Sequence, residues 1–400
     1  MKRSESITLC VFIDAFGWEL MRQHRFLDSV LKTKTPLKTV FGYSSTCDPV
    51  ILTGKMPQET NHFSCFYYNP KESPFGLLKW LACLPKALTR RGRVRRILSR
   101  FIGRRYGFTG YFQLYNMPFQ HLPLFGYSEQ RDLYQSGGIR SGLPTMFDYL
   151  RQESIPFTMS DWRKSEVENL ADMRAELERG EVSFGYLYLA HLDAVLHEYG
   201  TMHPNVTEKI AWYEQELERL IQVAKESYQE VRLFLFSDHG MTDVKETYDI
   251  KSQIEALGLK FGKDYVAVYD STMVRFWFLH DMARIRITKA LQEEVLGEIV
   301  DKQRLAEYGC DFQDNTYGDL FFLMKPGVLL CPSFMGETPL AGMHGYAPED
   351  KDSFAAFATN CELPVLPKRL DDLMETVLSG VVSHLPKAPK PTSEGLALMV

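Results

Sequence analysis

The sequence contains no stretch that approaches the roughly 20 consecutive apolar residues that a bilayer-spanning helix requires. It has no CxxC pair and no internal repeat, and its seven cysteines are odd in number and widely scattered. A membrane span, a zinc finger and a disulfide framework are therefore not expected. The N-terminal apolar stretch, residues 7–13, ends in Asp14 without a small-residue cleavage site, unlike a signal peptide. Reduced thiols in a cytoplasmic protein fit this pattern.

An excess of positive charge is also missing. The net charge is −5 and the pI about 6.1, which argues against a general nucleic-acid binder. The hydrophobic share of 45% and the aromatic share of 13% allow a sizeable core and exclude a disordered chain. At 400 residues the protein is too long for one simple core, so we expect a large domain with insertions or several domains.

Apolar runs with strand character alternate along the chain with segments whose apolar residues recur at helical spacing. The predicted strands are 7–14, 155–160, 184–190 and 231–240, and the predicted helices are 18–32, 144–152, 163–179 and 205–228. Strands that alternate with helices predict an α/β fold with a mainly parallel central sheet.

Two segments interrupt this alternation, and we interpret both as inserted caps. Residues 63–140 are rich in Tyr, Phe, Pro, Gly and Arg, whereas 262–340 combines two predicted strands, 273–280 and 319–327, with a predicted helix at 288–302. The predicted division is a catalytic core of 1–62, 141–261 and 341–385, a basic, aromatic cap of 63–140, a small α+β cap of 262–340, and a frayed tail of 386–400.

Acids and imidazoles gather where the predicted strands end or close to glycines. The six residues are Asp14, Asp193, His197, Asp238, His239 and His344. Taken alone, the pair Asp193 and His197 could be explained by an Asp–His hydrogen bond or by a helix N-cap at Asp193. Open α/β sheets, however, bind ligands at the carboxyl ends of their strands, so we expect the six to form one site.

Three carboxylates and three imidazoles divide into two sites of mixed oxygen and nitrogen ligands. Such sites suit Zn²⁺, with Mn²⁺ or Fe as alternatives, and are poor for Ca²⁺, which prefers oxygen ligands alone. Two metal ions roughly 4 Å apart hold both the attacking and the leaving oxygen of an in-line displacement at phosphorus. The pattern therefore indicates two-metal chemistry on a phosphate group.

A nucleophile is available in the segment 42–54, GYSSTCDPVILTG, which has hydroxyl groups in a turn before an apolar helix. A metal ion could deprotonate a serine there, and the helix N-terminus would favour an anionic phosphoryl group. The alternative is a helix N-cap with Ser/Thr turn chemistry and no catalytic role.

The order of these motifs along the chain resembles the alkaline phosphatase superfamily, and most closely its type I phosphodiesterase/nucleotide pyrophosphatase branch. The resemblance extends from residue 9 to residue 346, although short motifs alone carry it. They are Asp14, the hydroxyl turn ending in Leu-Thr-Gly, DAVLHEYG at 193–200, SDHGM at 237–241 and MHGY at 343–346.

This resemblance implies a three-layer α/β/α fold with inserted caps. It also implies that the six residues hold two metal ions, one bound by Asp193, His197 and His344 and the other by Asp14, Asp238 and His239. The nucleophile oxygen would bridge the two ions, and counting back from Thr53 by the family's spacing gives Ser44.

The sequence departs from the branch around this nucleophile. The branch normally has Thr in a Thr-Phe-Pro-Asn-like turn, whereas this chain has Ser44, Ser45, Thr46 and Cys47 in succession. Ser45 and Thr46 therefore remain rivals of Ser44, and the neighbouring oxyanion donor stays undefined. The sulfatase and phosphoglycerate mutase branches are less similar, because the CxPSR context of the first and the Ser-Glu-Val-Gly-His stretch of the second are missing.

These features predict a metal-dependent hydrolase that cleaves a phosphodiester or pyrophosphate bond through a covalent phospho-enzyme on Ser44. A nucleotide sugar, a dinucleotide or a lipid-linked phosphate would suit as its substrate. One alternative is a phosphomonoesterase or phosphoryl transferase with a smaller or more basic pocket. A second alternative is a non-catalytic binding protein that keeps the fold, but such a protein would usually have lost ligands, and here all six are present.

Residues 86–105 carry nine Lys and Arg and no acid, within a protein of negative net charge. Leu77, Trp80 and Leu84, just before them, belong to a predicted apolar helical face. A Trp and leucines beside a basic run are typical of a helix in a membrane interface, so 75–105 is a candidate for peripheral contact with the inner membrane surface. The alternative is a cap whose arginines line a path for an anionic substrate or bond acids elsewhere in the chain.

We interpret the remaining histidines as surface or packing residues, with His62 and His191 as the two candidates for a supporting role at the site. They are His24, His62, His121, His191, His203, His280 and His384.

Overall fold

The computed structural model describes residues 4–85, 89 and 91–382, so the predicted tail at 386–400 and His384 lie outside the described residues. Its strands are β1 (Ser6–Ile13), β2 (Thr33–Leu37), β3 (Phe66–Tyr68), β4 (Phe125–Tyr127), β5 (Phe157–Met159), β6 (Phe184–Leu189), β7 (Glu230–Phe236), β8 (Thr242–Asp243), β9 (Glu246–Tyr248), β10 (Tyr265–Tyr269), β11 (Met273–Phe278), β12 (Gly297–Val300), β13 (Leu320–Met324), β14 (Val328–Leu330), β15 (Gly342–Met343) and β16 (Ala355–Thr359).

The α-helices of the described residues differ widely in length. They are α1 (Trp18–His24), α2 (Ser44–Thr53), α3 (Pro57–Thr60), α4 (Gly92–Tyr106), α5 (Met146–Gln152), α6 (Glu166–Arg179), α7 (His191–Tyr199), α8 (Pro204–Ser227), α9 (Ile250–Ala256), α10 (Asp281–Gln292), α11 (Lys302–Glu307) and α12 (Leu373–Leu378). Short 3₁₀ helices form at Gly76–Cys83, Leu122–Leu124 and Leu370–Asp372. Within the described part of the chain, no helix combines the length and the apolarity that crossing a membrane requires.

The central sheet has six strands in the order β2-β16-β7-β1-β6-β5. β7, β1, β6 and β5 are parallel to one another, whereas β16 pairs antiparallel with both β7 and β2. The predicted mainly parallel sheet is therefore confirmed. At its centre, Ile13 of β1 lies opposite Leu189 of β6, and Phe12 of β1 lies opposite Phe236 of β7. This register makes the three central strands end at the same edge of the sheet.

β1 is buried on both faces, as its unbroken apolar sequence predicts for a central parallel strand. Ile7, Leu9, Val11 and Ile13 pack in a cluster with residues of α6, α7 and α8. Phe12 belongs to a different cluster, with residues of α2, α5 and α12. Each fully buried side chain of this kind contributes about 1.5–3 kcal/mol. Helices thus cover both faces of the sheet, which confirms the three-layer α/β/α fold.

A second sheet, in the order β10-β11-β13-β12, is antiparallel throughout. Its hydrophobic cluster also contains Phe66, Phe75 and Tyr127, which come from the other predicted insertion. The same cluster includes Ile250 and Ile254 of α9, which the predicted division assigns to the core. The two insertions therefore pack against each other, and their boundaries stay a prediction.

The predicted helix at 18–32 is shorter in the structure, because α1 ends at His24. Arg25 and Leu27 have φ angles of 51° and 50°, in the left-handed region that helices do not use. The Leu27 N–H donates to the Glu214 carboxylate of α8 at 2.6 Å. A contact that is distant in sequence therefore ends the helix earlier than its apolar spacing indicates.

The predicted helix at 288–302 is wrong in its second half. α10 ends at Gln292, and Gly297–Val300 form β12, which pairs with β13. A Cβ atom at Gly297 would lie 2.5 Å from the Phe322 ring, so glycine permits the close approach of the two strands. Strand pairing with a distant segment here overrides the local helical spacing.

Two glycines allow the loops after β1 and β7 to touch. A Cβ atom on Gly17 would lie 2.3 Å from the Cα atom of Gly240, and one on Gly240 would lie 2.1 Å from the Asp352 carbonyl oxygen. Backbone can approach this closely only where no side chain stands between. Because Asp14 and His239 belong to these two loops, the contact holds both residues at the sheet edge.

Candidate active site

The first group of predicted ligands forms where β1 and β7 end. Asp14 follows β1 directly, and Asp238 and His239 follow β7 after a single residue. The Ala15 N–H donates to Asp238 Oδ1 at 3.1 Å, so a hydrogen bond joins the two loops within the group. One ligand atom from each of Asp14, Asp238 and His239 lies within 4.8 Å of the other two.

The second group combines α7 with the segment after β15. Asp193 and His197 are four residues apart on α7, so both project from one side of the helix. The Nε2 atoms of His197 and His344 lie 3.3 Å and 3.6 Å from Asp193 Oδ1. The Ala341 N–H donates to the His197 carbonyl oxygen at 2.9 Å, which attaches the segment of His344 to the helix. The six predicted ligands therefore form two groups of three.

The two groups are adjacent. The rings of His239 and His344 stack with their centroids 3.7 Å apart and their planes 12° from parallel. Since these histidines belong to different groups, the two groups lie side by side. Two-metal displacement at phosphorus requires this arrangement.

Backbone carbonyl groups orient two of the imidazoles. His197 Nδ1 donates to the Gly342 carbonyl oxygen at 2.8 Å, and His239 Nδ1 donates to the Gly240 carbonyl oxygen at 2.9 Å. Both rings therefore present Nε2 to their group. Histidines that bind metals are usually held in this way by a hydrogen bond from the other ring nitrogen.

Three buried carboxylate oxygens make no hydrogen bond and have imidazole nitrogens 3.0 to 3.8 Å away, an arrangement that suits cations. They are Asp14 Oδ1, Asp193 Oδ1 and Asp238 Oδ2, one from each acid of the two groups. The second oxygen of Asp14, Oδ2, accepts a hydrogen bond from the Tyr188 hydroxyl at 2.6 Å. An ionised oxygen that is buried without a partner destabilises a protein. Divalent cations would supply the missing partners of all three acids.

Burial and neighbouring charges shift the pKa values of several of these side chains. Burial disfavours the His239 cation, but the carboxylates of Asp238 and Asp14 outweigh it and raise the pKa of His239 to about 10. Burial, followed by the charge of Asp238, raises the pKa of Asp14 well above its usual range. Burial, followed by the charge of His239, lowers the pKa of His344. A bound cation would replace shared protons, because ligands bind metals in their deprotonated form.

Among the three candidate nucleophiles, Ser44 lies at the first group. It is the first residue of α2, and its Oγ lies 3.1 Å from His239 Nε2. Ser45 and Ser44 both line one cavity beside this group. Thr46 is fully buried, and its hydroxyl donates to the Phe63 carbonyl oxygen. The Thr46 hydroxyl is therefore engaged in packing α2, whereas those of Ser44 and Ser45 face the cavity.

A cavity of about 520 Å³ connects the two groups with Ser44. Asp14 and His344 are among its lining residues, so it reaches both groups. Aromatic side chains form much of the remaining wall; they are Tyr43, Tyr111, Tyr115, Tyr134, Trp162 and Tyr188. Apolar and aromatic walls around a few convergent polar groups are typical of sites for organic ligands.

Four acids in this cavity were not identified from the sequence, namely Asp48, Glu129, Asp132 and Asp270, of which the last two pair with Arg163 and Arg275. Asp48 lies one helical turn after Ser44, and Glu129 comes from the first insertion. Burial raises the pKa of Glu129 to about 7 and raises that of Asp48 well above its usual range. The spacing of Ser44 and Asp48 on one helix could have indicated Asp48, whereas no local pattern indicates where the insertion brings Glu129.

The two histidines predicted as candidates for a supporting role lie elsewhere. His62 is buried, and its Nε2 accepts a hydrogen bond from the Arg140 N–H at 3.0 Å. His191 is exposed at the start of α7. Neither hydrogen-bonds a predicted ligand in the part of the chain that the structure describes.

Known proteins share this sequence pattern and this architecture. A sequence model of the type I phosphodiesterase/nucleotide pyrophosphatase family matches residues 126–347. Human ectonucleotide pyrophosphatase/phosphodiesterase 5 superposes with a TM-score of 0.66 at 13% identity, covering 95% of this chain and 96% of that chain. Its murine counterpart, an inactive form in complex with AMP, gives a TM-score of 0.66 at 14% identity, with 96% of each chain covered.

A comparison with curated proteins by sequence finds no significant match. At identities this low the solved structures establish the fold, and the family model carries the assignment. Together they confirm the resemblance and the α/β/α architecture expected from the sequence.

We expect His197→Ala to lose one bound metal ion and Asp238→Ala to lose the other, because each variant removes a ligand from a different group of three. Metal content would be measured by plasma mass spectrometry after loading with zinc or manganese and desalting. His203→Ala, which removes an exposed histidine outside both groups, should keep both ions. Full occupancy in both ligand variants would contradict the assignment.

Proposed function

The chain belongs to the type I phosphodiesterase/nucleotide pyrophosphatase family, and from this premise we propose that it cleaves a phosphodiester or pyrophosphate bond by attack of Ser44 on phosphorus. Family membership makes the protein a hydrolase of phosphoester bonds. The observation that carries the finer proposal is the Ser44 hydroxyl, 3.1 Å from His239 Nε2 in a group of unpartnered ligand atoms.

The two groups would each hold one divalent cation. Asp193, His197 and His344 would bind one, and the remaining ligands, Asp14, Asp238 and His239, would bind the other. Mixed carboxylate and imidazole ligands support Zn²⁺, with Mn²⁺ as the alternative. When bound, the cations supply the positive charge that favours the Ser44 alkoxide and stabilises charge on the phosphoryl oxygens.

In the first step, Ser44 loses its hydroxyl proton to solvent and its oxygen attacks phosphorus. A serine–phosphorus bond forms while the bond to the leaving oxygen breaks, and the leaving group takes up a proton. Water then attacks the phosphoserine from the side of Asp193, which releases a phosphate monoester and restores the Ser44 hydroxyl. α2 begins at Ser44, so the positive end of its helix dipole favours the anionic group throughout.

The lining of the cavity supports a diester or pyrophosphate over a monoester. A monoester carries an additional negative charge, and a monoesterase would be expected to have a more basic pocket. Asp48 and Glu129 line this cavity, and Arg131 is the single Lys or Arg in its lining within the described residues. The scarcity of basic residues in this lining favours a phosphate group with one negative charge.

We further propose a nucleotide-type substrate, such as a dinucleotide or a nucleotide sugar, with a lipid-linked pyrophosphate as the alternative. The aromatic walls, which include Tyr43, Tyr134 and Trp162, suit stacking against a ring. A cavity of about 520 Å³ falls within the usual range for small-molecule sites. The murine neighbour in complex with AMP gives this proposal additional support.

A cytoplasmic location is also part of the proposal. All seven cysteines are free, and four of them are buried. Unpaired thiols are usual in a reducing compartment.

Peripheral contact with an anionic membrane surface is supported by exposed apolar residues in the segment 75–105. They are Leu77, Trp80, Ile97 and Phe101, with exposed fractions of 61%, 71%, 66% and 58%. Their neighbours Leu78 and Ile102 are buried, so one face of each helix packs inward and the other is exposed. Exposed apolar side chains between arginines are typical of a segment that lies in a membrane interface.

We expect Ser44→Ala to hydrolyse bis-para-nitrophenyl phosphate at least about a thousand-fold more slowly than the wild type, because the nucleophile is lost. Metal content and melting temperature should stay close to those of the wild type.

Ser45→Ala is the matched control and should keep most of the activity. Normal turnover by Ser44→Ala together with loss in Ser45→Ala would contradict the assignment of Ser44. Faster hydrolysis of para-nitrophenyl phosphate than of the diester by the wild type would instead favour the phosphomonoesterase alternative.

We expect the double variant Ile97→Ser/Phe101→Ser to bind vesicles of phosphatidylglycerol and phosphatidylcholine at least roughly tenfold more weakly than the wild type, since it loses two exposed apolar side chains that would enter the membrane interface. Co-sedimentation at low salt measures the bound fraction, which should fall as salt rises. The control is Met282→Ser/Ile285→Ser, two exposed apolar residues of α10. No binding by the wild type at low salt would contradict the membrane proposal.

A further inference from the structure

The chain contains no acidic residue between Glu72 and Glu129, although this segment includes the whole basic run. α4 is the longest helix of the segment that the structure describes, and it carries most of the arginines. Positive charge is therefore concentrated on one helix of a protein whose net charge is −5.

The arginines of α4 do not all have the same surroundings. Arg95 is buried, and its guanidinium donates to the carbonyl oxygens of Leu114 and Met117, so it fixes the helix to the following segment. Arg96, Arg100 and Arg104 are exposed.

The spacing of these three arginines makes them neighbours. They are four residues apart, so they form a stripe along one side of α4. No ion pair joins any of the three to another described residue, and like charges at this spacing repel each other. A bound anion would relieve this repulsion.

The stripe faces a second cavity, with a volume of about 740 Å³. Arg96, Arg100 and Arg104 form one wall, and its lining contains no acidic residue within the described part of the chain. The arginines thus face a pocket that suits an anion, in contrast to the acid-containing cavity at Ser44.

The two cavities are neighbours and share part of their walls. The residues that line both are Gly110, Tyr111, Tyr115, Trp162 and Met335. The two cavities therefore lie side by side along these residues, and an extended molecule that occupied both would pass Tyr111, Tyr115 and Trp162.

We propose that Arg96, Arg100 and Arg104 form a second anion-binding site, which takes a distal phosphate, sulfate or carboxylate group of an extended substrate. The proposal rests on the proposed function, in which the scissile phosphate lies at Ser44. It adds that the substrate carries a second anionic group, separated from the first by a ring or an apolar stretch that lies against Tyr111, Tyr115 and Trp162.

Arginine is suited to this role. Its planar guanidinium donates paired hydrogen bonds to phosphate, sulfate and carboxylate groups, and it stays charged at all physiological pH values. Three guanidinium groups along one helix side give an anion several partners. The arginines at α4 would then hold the distal anionic group while the scissile phosphate lies at Ser44.

The test uses a soluble probe that does not chelate metals, naphthalene trisulfonate, whose ring and three sulfonates match the aromatic wall and the stripe. Calorimetric titration of the metal-loaded protein should show saturable binding. The double variant Arg96→Gln/Arg100→Gln should raise the dissociation constant at least roughly tenfold, because hydrogen bonds to charged groups are lost. The matched control is Arg93→Gln/Arg105→Gln, which removes the same charge from exposed positions of α4 outside the cavity and should change it less than about twofold.

Equal losses in the two double variants would show nonspecific attraction and overturn the proposal, as would the absence of saturable binding. Loss of vesicle binding in Arg96→Gln/Arg100→Gln, without an effect on the trisulfonate, would assign these arginines to the membrane and also overturn it. The proposed hydrolase function fails separately, when the wild type does not cleave bis-para-nitrophenyl phosphate although it binds the trisulfonate.

Discussion

Three carboxylates with buried, unpartnered oxygens, gathered where the central strands end, are the constraint on which the rest of the site depends. Like charges at this distance repel strongly when water is largely excluded. Asp14 and Asp238 are almost fully buried, and their loops are joined by the hydrogen bond from Ala15. Three imidazoles offset part of this charge, and the unpartnered oxygens mark where cations would complete the balance. Ser44 lies at this point, so cations that offset these negative charges would also favour its ionisation.

The fold keeps these groups in place through backbone contacts that take no part in the reaction. The register of β1 between β6 and β7 makes the three strands end at one edge of the sheet. The contact of Gly17 with Gly240 leaves no space for a side chain between the two loops. Carbonyl oxygens of Gly240 and Gly342 orient the imidazoles of His239 and His197. The aromatic walls come from both parts of the predicted division, Tyr111, Tyr115 and Tyr134 from the first predicted insertion and Tyr43, Trp162 and Tyr188 from the predicted core.

Much of this site could be predicted from residue types, because polar side chains that end apolar strands meet at one sheet edge. The structure brings the six residues predicted in this way into two groups of three, and the α/β fold is confirmed. Ser44, which the family's spacing indicated, lies beside them, and its role stays a prediction. The second half of the helix predicted at 288–302 was wrong, because pairing of β12 with β13 depends on a distant segment. For the same reason the sequence did not show that Arg95 is buried or that Glu129 lines the cavity, since both depend on how an insertion packs.

The stereochemical course at phosphorus tests the central claim, attack by Ser44 followed by water, most directly. A phosphorothioate diester of known configuration would be hydrolysed in isotopically labelled water, and the configuration of the product determined. Two successive in-line displacements each invert the phosphorus centre, so we expect net retention. Net inversion would show that water attacks the substrate directly, and it would contradict a covalent intermediate on Ser44.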